Sequence, residues 1–228
     1  KLKAILPYYK AVIAGSNVLQ AYTQTTYGIK SYYIPMAINT NIYQPAKERA
    51  TGKLRIGWSG SHHTNVYALP LLREPLTALS KVLDFEFIVI SNKNPDLDWP
   101  SINTRFILWT EDTEIQGLQQ FDIGLMPLKD EPFEQGKCAL KAVQYMAIGI
   151  PALVSPVGVN SIIVRNGIDG FHCKSIEEFT TNLLALATDE TQRLTLGKNA
   201  KSRVDELYSV KVLVNQYEAV FKEIANGK

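Results

Sequence analysis

Lys137 follows Gly136 and precedes an apolar-periodic run, Leu140, Val143, Met146 and Ala147, whose three- and four-residue spacing describes one face of a helix. A lysine beside the free amides of a helix N-terminus is chemistry for an anion, because the ammonium and the backbone dipole attract the same oxygen atoms. Gly136, Lys137, Cys138 and Ala139 are therefore candidate anion-binding positions. The alternative for Lys137 is a solvated lysine at a loop end. On this pattern Lys141 and Gln144 lie off the packed face of the helix.

The elements around this run must place it correctly. Gly149 is suited to end the helix in the left-handed conformation, and Pro151 cannot continue it, which leaves Ala152-Leu153-Val154 as a short buried strand. Ser155-Pro156-Val157-Gly158 then turns away from the end of that strand. In an open α/β sheet the crevice outside the strand C-termini receives ligands, so the segment is placed to hold a phosphate.

A second candidate loop, Gly57-Trp58-Ser59-Gly60-Ser61, follows the strand Leu54 to Ser59. Gly60 and Ser61 there allow close approach of backbone amides to a ligand, although the glycine spacing is not a dinucleotide fingerprint. His62 and His63 come next. They read either as donors to a phosphate or an acceptor group, or as exposed loop residues, and no third ligand nearby completes a metal site.

Strands and helices alternate along the chain. A helical pattern covers residues 8–27 with Ser16 as cap, and Ser31 to Pro35 is a strand. Tyr43 to Gly52 is a polar link. Further strands are expected at 85–91, 105–109, 123–126 and 170–173. Helices are expected at 67–83, 113–119, 159–165, 176–187 (capped by Ser175), 190–208 and 209–225. Such alternation predicts an α/β fold with a Rossmann-like, doubly wound parallel sheet covered on both faces.

Composition agrees. The 228 residues are 46% hydrophobic, enough for one substantial core with an appendage. A formal charge of +2 with both signs interspersed gives no case for nucleic acid as a partner. The two cysteines, Cys138 and Cys173, have neither metal-ligand spacing nor a disulfide framework, which suits a reducing cytoplasmic setting. No apolar run approaches the length of a bilayer span, and no signal peptide is visible. The opening on Lys1 rather than Met leaves the chain readable as a fragment.

The run from Gly136 through Asn160 resembles the donor-binding signature of GT-B glycosyltransferases of family 4, the glycosyl transferases group 1. Arg165-Asn166-Gly167-Ile168-Asp169-Gly170-Phe171 is similar to the family's N-G-x-x-G turn, and Ile56 to Ser61 to the start of its second domain. Ala11 to Leu19 and Ile34 to Asn39 resemble the last helix and strand of the first domain and the linker after it. The resemblance implies two units: residues 1–52, a remnant of the acceptor domain plus interdomain linker, and residues 53–228, a nucleotide-sugar-binding domain with C-terminal crossover helices. Tyr208, Val212, Val214, Tyr217 and Phe221 would carry the last helix back toward the first unit, leaving exposed apolar surface that a partner or self-association would cover.

By the same resemblance the donor's phosphates and sugar lie at Gly136 to Ala139, and Gln144 stands where the family has the glutamate that accepts both ribose hydroxyls. Gln144→Glu is then expected to tighten binding. Trp109 lies where the base is held, with packing at the sheet rim as its other reading. Asn160 either bonds the sugar or phosphate or caps the following helix. The departures are Gly136 in place of the first glutamate unless Glu134 substitutes for it, Ser59 and His62-His63-Thr64 in place of a phosphate-gripping Arg and Lys, and Ile162 in place of a glutamate.

The implied function is the donor-binding portion of a retaining glycosyltransferase in polysaccharide biosynthesis. It would use a nucleotide diphosphate sugar as donor with no obligatory metal or cofactor, and a glycan or lipid acceptor bound through the first domain. The implied setting is cytoplasmic, with a place peripheral to the inner face of the membrane left open. Two rivals stand beside it: a non-catalytic nucleotide-sugar-binding or partner subunit, and an epimerase of the same architecture, which would need carboxylates grouped with His62, His63 or His172.

Overall fold

The computed structural model describes residues 2–47 and 52–227, so residues 48–51 of the expected polar link lie outside the described part. A short helix α1 (Leu2–Ile5) and a 3-10 turn lead into β1 (Val12–Ala14), α2 (Asn17–Tyr27) and β2 (Ser31–Tyr33). β1 and β2 pair in parallel, Val12 opposite Ser31 and Ala14 opposite Tyr33. This corrects the expected helix over 8–27. Val12-Ile13-Ala14 is too short a run for periodicity to assign, and pairing with β2 makes it a strand. The cap at Ser16 stands, its hydroxyl accepting from the Leu19 amide at 3.2 Å.

Six further strands form the main sheet: β3 (Leu54–Ser59), β4 (Phe85–Ser91), β5 (Thr104–Leu108), β6 (Ile123–Met126), β7 (Ala152–Val154) and β8 (Gly170–His172). All pair in parallel, in the order β5-β4-β3-β6-β7-β8. The expected doubly wound α/β sheet is the observed one. Buried runs such as Phe87-Ile88-Val89-Ile90 suit central strands covered on both faces.

Seven helices link or cover these strands before the last: α3 (His62–Ser80), α4 (Glu111–Leu118), α5 (Pro132–Gln135), α6 (Leu140–Ala147), α7 (Asn160–Ile163), α8 (Ile176–Thr188) and α9 (Glu190–Leu207). α3 and α8 bury Leu69, Leu72, Leu76, Phe179 and Leu183 against one face, while α6 and α9 bury Val143, Tyr145, Met146, Ala200 and Val204 against the other. Two expected helices change. α3 starts at His62 because the Ser61 hydroxyl caps it, which moves His62 and His63 out of the loop and into the first helical turn. The expected helix over 159–165 shortens to α7.

The last helix, α10 (Val210–Ala225), packs on the small N-terminal sheet, with a different buried face from the one its apolar residues suggest. Leu213 and Val220 are buried with Ile34, and Tyr217 packs beside them, whereas Val214 and Phe221 are exposed. Reciprocal 2.9 Å bonds between Ile38 and the Tyr208–Val210 backbone, and an ion pair of Lys30 with Glu223, fix this return. Among the described residues no helix is long and apolar enough to cross a membrane.

Candidate functional site

The order of the main sheet reverses direction between β3 and β6, and a crevice opens where the chains leaving neighbouring strands part company. β3 and β6 pair at Ile56–Ile123 and Gly57–Gly124 and then separate. Beyond that point Tyr145 of α6 bridges them: the Ser59 amide donates to its hydroxyl at 3.0 Å, and the hydroxyl donates to the Leu125 carbonyl at 3.3 Å. A cavity of about 1300 Å³ lies at these strand ends. The loops after β3, β4 and β5 contribute Ser59 to Ser61, Asn92 and Trp109, and the loop before α6 contributes Gly136 to Ala139. Val18, Leu19 and Tyr22 of α2 and Met36 after β2 line the cavity as well.

One end of this cavity is built from α5 and α6. Ala139 caps α6 with φ +56°, a left-handed conformation rare for a residue with a side chain, and the first-turn amides of α6 lack intrahelical acceptors. The Ser16 hydroxyl donates to the Gly136 carbonyl at 3.1 Å and ties this loop to the start of α2. Behind the loop, Gly158 has φ +56°, and a side chain there would meet the Gln135 carbonyl at 2.4 Å. Lys137 lies 3.5 Å from Glu134, with its ammonium 5.4 Å from the Phe133 ring centroid. Its side chain is 25% exposed, so it is not the freely solvated lysine of the alternative reading.

Lys141 belongs with it. Its ammonium sits 5.3 Å from the Trp58 ring centroid, and burial, with the Lys137 charge nearby, pushes its pKa down to about 8. Lys137 and Lys141 both line the large cavity and a smaller one, of about 240 Å³, beside it. The sequence pattern put Lys141 off the packed face and assigned it no role. Glu134, weighed as a replacement for a missing acidic group, lines the smaller cavity instead.

At the other end stands a polar network. Gln144 is buried, contrary to the expectation that it turns away from the packed face, because α6 is covered almost all round. Its amide donates to Tyr43 Oη at 3.2 Å and to Glu114 Oε1 at 3.1 Å. Trp109, 40% exposed, donates its indole N–H to the same Glu114 oxygen at 2.9 Å, and the Tyr43 hydroxyl donates to Glu114 Oε2. Burial and the Glu114 bond push the Tyr43 pKa up to about 12, so the phenol stays protonated. Glu114, Trp109 and Gln144 all line the cavity.

Two candidates fall outside it. Asn160 is buried and donates to the Ser155 carbonyl at 2.9 Å, while Val159 holds the cap position of α7, so Asn160 shapes the turn after β7 and neither lines the cavity nor caps the helix. The His62 backbone amide donates to Asn92 Oδ1 at 2.7 Å, its Nδ1 is buried and unpartnered, and the residue does not line the cavity. His63 lines the smaller cavity, and His172 bonds the Val164 carbonyl at 2.8 Å through Nε2. Glu131 and Glu134 line the smaller cavity with His63.

Residues 53–189, the span that builds most of this site, match the family described as Glycosyl transferases group 1. The chain belongs to that family. Its fold is shared with glycosyltransferases of known structure. Sucrose-phosphate synthase from Thermosynechococcus elongatus superposes with a TM-score of 0.78 at 18% identity, over 99% of this chain and 61% of that one. The C-terminal domain of a glycosyl transferase group 1 family protein (LpcC) from Francisella tularensis gives 0.59 at 20% identity, over 76% of this chain and all of that domain. Anabaena HepE, solved in complex with UDP and glucose, gives 0.73 at 14% identity, over 93% of this chain and 63% of that one. The chain thus spans less than two thirds of the full-length glycosyltransferases it resembles. No curated protein matches it.

Proposed function

We propose that this domain binds a nucleoside diphosphate sugar in the large cavity and forms the donor half of a retaining glycosyltransferase. The observation that carries the reading is the pairing of Lys137 and Lys141 with the open N-terminus of α6 at the crevice where the strand order reverses. Diphosphate oxygens would take the ammonium groups and amides. The exposed face of Trp109, across the cavity, would receive the base. Binding of UDP and glucose by the HepE structure is consistent with this ligand class.

In the reaction the bond between the anomeric carbon and the diphosphate breaks and one to an acceptor oxygen forms with configuration retained, while the acceptor hydroxyl's proton passes to the departing diphosphate. The two lysines and the helix amides stabilise the negative charge that develops on the leaving diphosphate, in geometry fixed before the reaction. No metal is needed for that step. Residues 1–52 belong to the preceding acceptor domain and linker in this reading, and the acceptor, a glycan or lipid, binds largely through that domain. The protein works in the cytoplasm on polysaccharide synthesis, at or near the membrane surface.

One observation favours a second reading, binding without turnover: Gly136 presents no side chain where the family's first glutamate stands. The two part in a thermal-shift panel of UDP, GDP, ADP and TDP with their sugar conjugates, followed by donor hydrolysis assays on the full-length protein. A ligand that binds only the folded chain raises its melting temperature. Stabilisation by one diphosphate series supports the donor site, and turnover then separates enzyme from binding subunit. No shift across the panel overturns the proposal.

A further inference from the structure

The charge at the ribose end of the cavity comes from a different helix than the signature segment. Resting on the donor-site reading above, we infer that Glu114 is the carboxylate that accepts a ribose hydroxyl, and that Gln144 is a positioning residue which holds it.

Glu114 is aimed and fixed by donors from three elements. Oε1 accepts from Trp109 Nε1 at 2.9 Å and Gln144 Nε2 at 3.1 Å, and Oε2 accepts from the Tyr43 hydroxyl. A carboxylate has acceptor capacity for about four such bonds, so with three made by the protein Oε2 retains room for a ligand donor. Among the described residues no lysine or arginine forms an ion pair with Glu114. A charged group on a cavity wall that is held by neutral donors and unneutralised by a cation is suited to receive a hydroxyl through a charge-assisted bond.

Gln144 has no donor left to offer. Both Nε2 protons are spent on Tyr43 and Glu114, and the network admits no exchange of amide nitrogen and oxygen, since Glu114 only accepts and Tyr43 donates onward to it. The side chains at 114 and 144 are thereby complementary. A glutamate at 144 would set two carboxylates against each other at hydrogen-bond distance, where one must take up a proton or move away. Gln144→Glu should therefore weaken binding, the reverse of the expectation from the signature alone.

The test is calorimetric titration of the wild type and of Glu114→Gln, Glu114→Asp, Gln144→Glu and the double exchange E114Q/Q144E. The probes are UDP, GDP and ADP, each against its 2′,3′-dideoxy counterpart, with melting curves to verify folding. The wild type should prefer one ribose form about tenfold or more, the scale of a hydrogen bond to a charged group. Glu114→Gln and Glu114→Asp should erase that ratio by weakening the ribose form more than the dideoxy form. Gln144→Glu should bind more weakly, and the double exchange should recover much of the ratio by restoring one carboxylate and one amide. A ratio that survives both Glu114 variants, or tighter binding by Gln144→Glu, overturns the inference while the donor-site reading stands. Absence of binding by the wild type to any of the three overturns both.

Discussion

The Tyr145 hydroxyl accepts the Ser59 amide at 3.0 Å at the point where β3 and β6 stop pairing. One side chain thus replaces the missing rung of the ladder and also carries α6, whose N-terminus is the proposed diphosphate end of the site. The ring is fully buried against Phe121, with centroids 5.9 Å apart, and burial keeps the phenol protonated well above its ordinary range. Tyr145→Phe keeps the packing but strands a buried amide and a buried carbonyl. The expected cost is about 1–3 kcal/mol, read as a lower urea midpoint with unchanged m-value. An unchanged midpoint would mean that the strands close up without the hydroxyl.

In the proposed donor site Lys137 is expected to discriminate between ligands by charge. Its removal in Lys137→Ala should weaken a nucleoside diphosphate about tenfold or more and leave the free nucleoside unaffected, because the lost bond is charge-assisted. The nearby Glu134 at 3.5 Å is left unpaired and adds repulsion toward phosphate. Equal weakening of both ligands, measured by titration, would assign Lys137 to the fold instead.

Much of this site was legible before the structure, and the reasons differ for each part. β3, β4 and β6 are short apolar runs bounded by turn residues, and the structure places them where that pattern does. Gly149 has φ +73° just past α6, as its position before Pro151 implies. The same periodicity misjudged α6 itself: Leu140 is 41% exposed, whereas Gln144 is buried, since a helix lodged at the reversal of the sheet is covered on more than one side. Glu114 was invisible because its partners, Tyr43, Trp109 and Gln144, come from distant parts of the chain. Signature matching finds residues that keep their place in a motif; it has no means to find a carboxylate supplied by another helix.

Gly158 joins the turn after β7 to the loop before α6. Gly158→Ala forces a side chain into the left-handed region and against the Gln135 carbonyl at 2.4 Å. Backbone must move, so a loss of about 2 kcal/mol or more is expected, combining the left-handed penalty with the clash. Because Gln135 leads into Gly136, ligand affinity should fall together with the melting temperature. A variant as stable as the wild type with intact binding would show that the two loops move independently.

Lys141 makes the clearest pH prediction. Its pKa is about 8 in the folded chain against 10.5 in the unfolded one, with Lys137 and Cys138 beside it and Lys129, Glu131, Glu134 and His63 lining the adjoining cavity. Between those two values the unfolded state binds more protons, so this lysine's contribution to stability rises as pH climbs from about 8 toward 10.5. Below pH 8 it is a half-buried cation that costs stability, and Lys141→Met should raise the melting temperature at pH 7 while keeping contact with Trp58. Binding runs the other way. A diphosphate favours the ammonium form, so affinity should fall as pH rises above about 8, with proton uptake on binding seen as a buffer-dependent enthalpy. In Lys141→Met that uptake should vanish and affinity should drop at neutral pH. A variant that gains stability yet binds with the wild-type pH profile would remove Lys141 from the phosphate site.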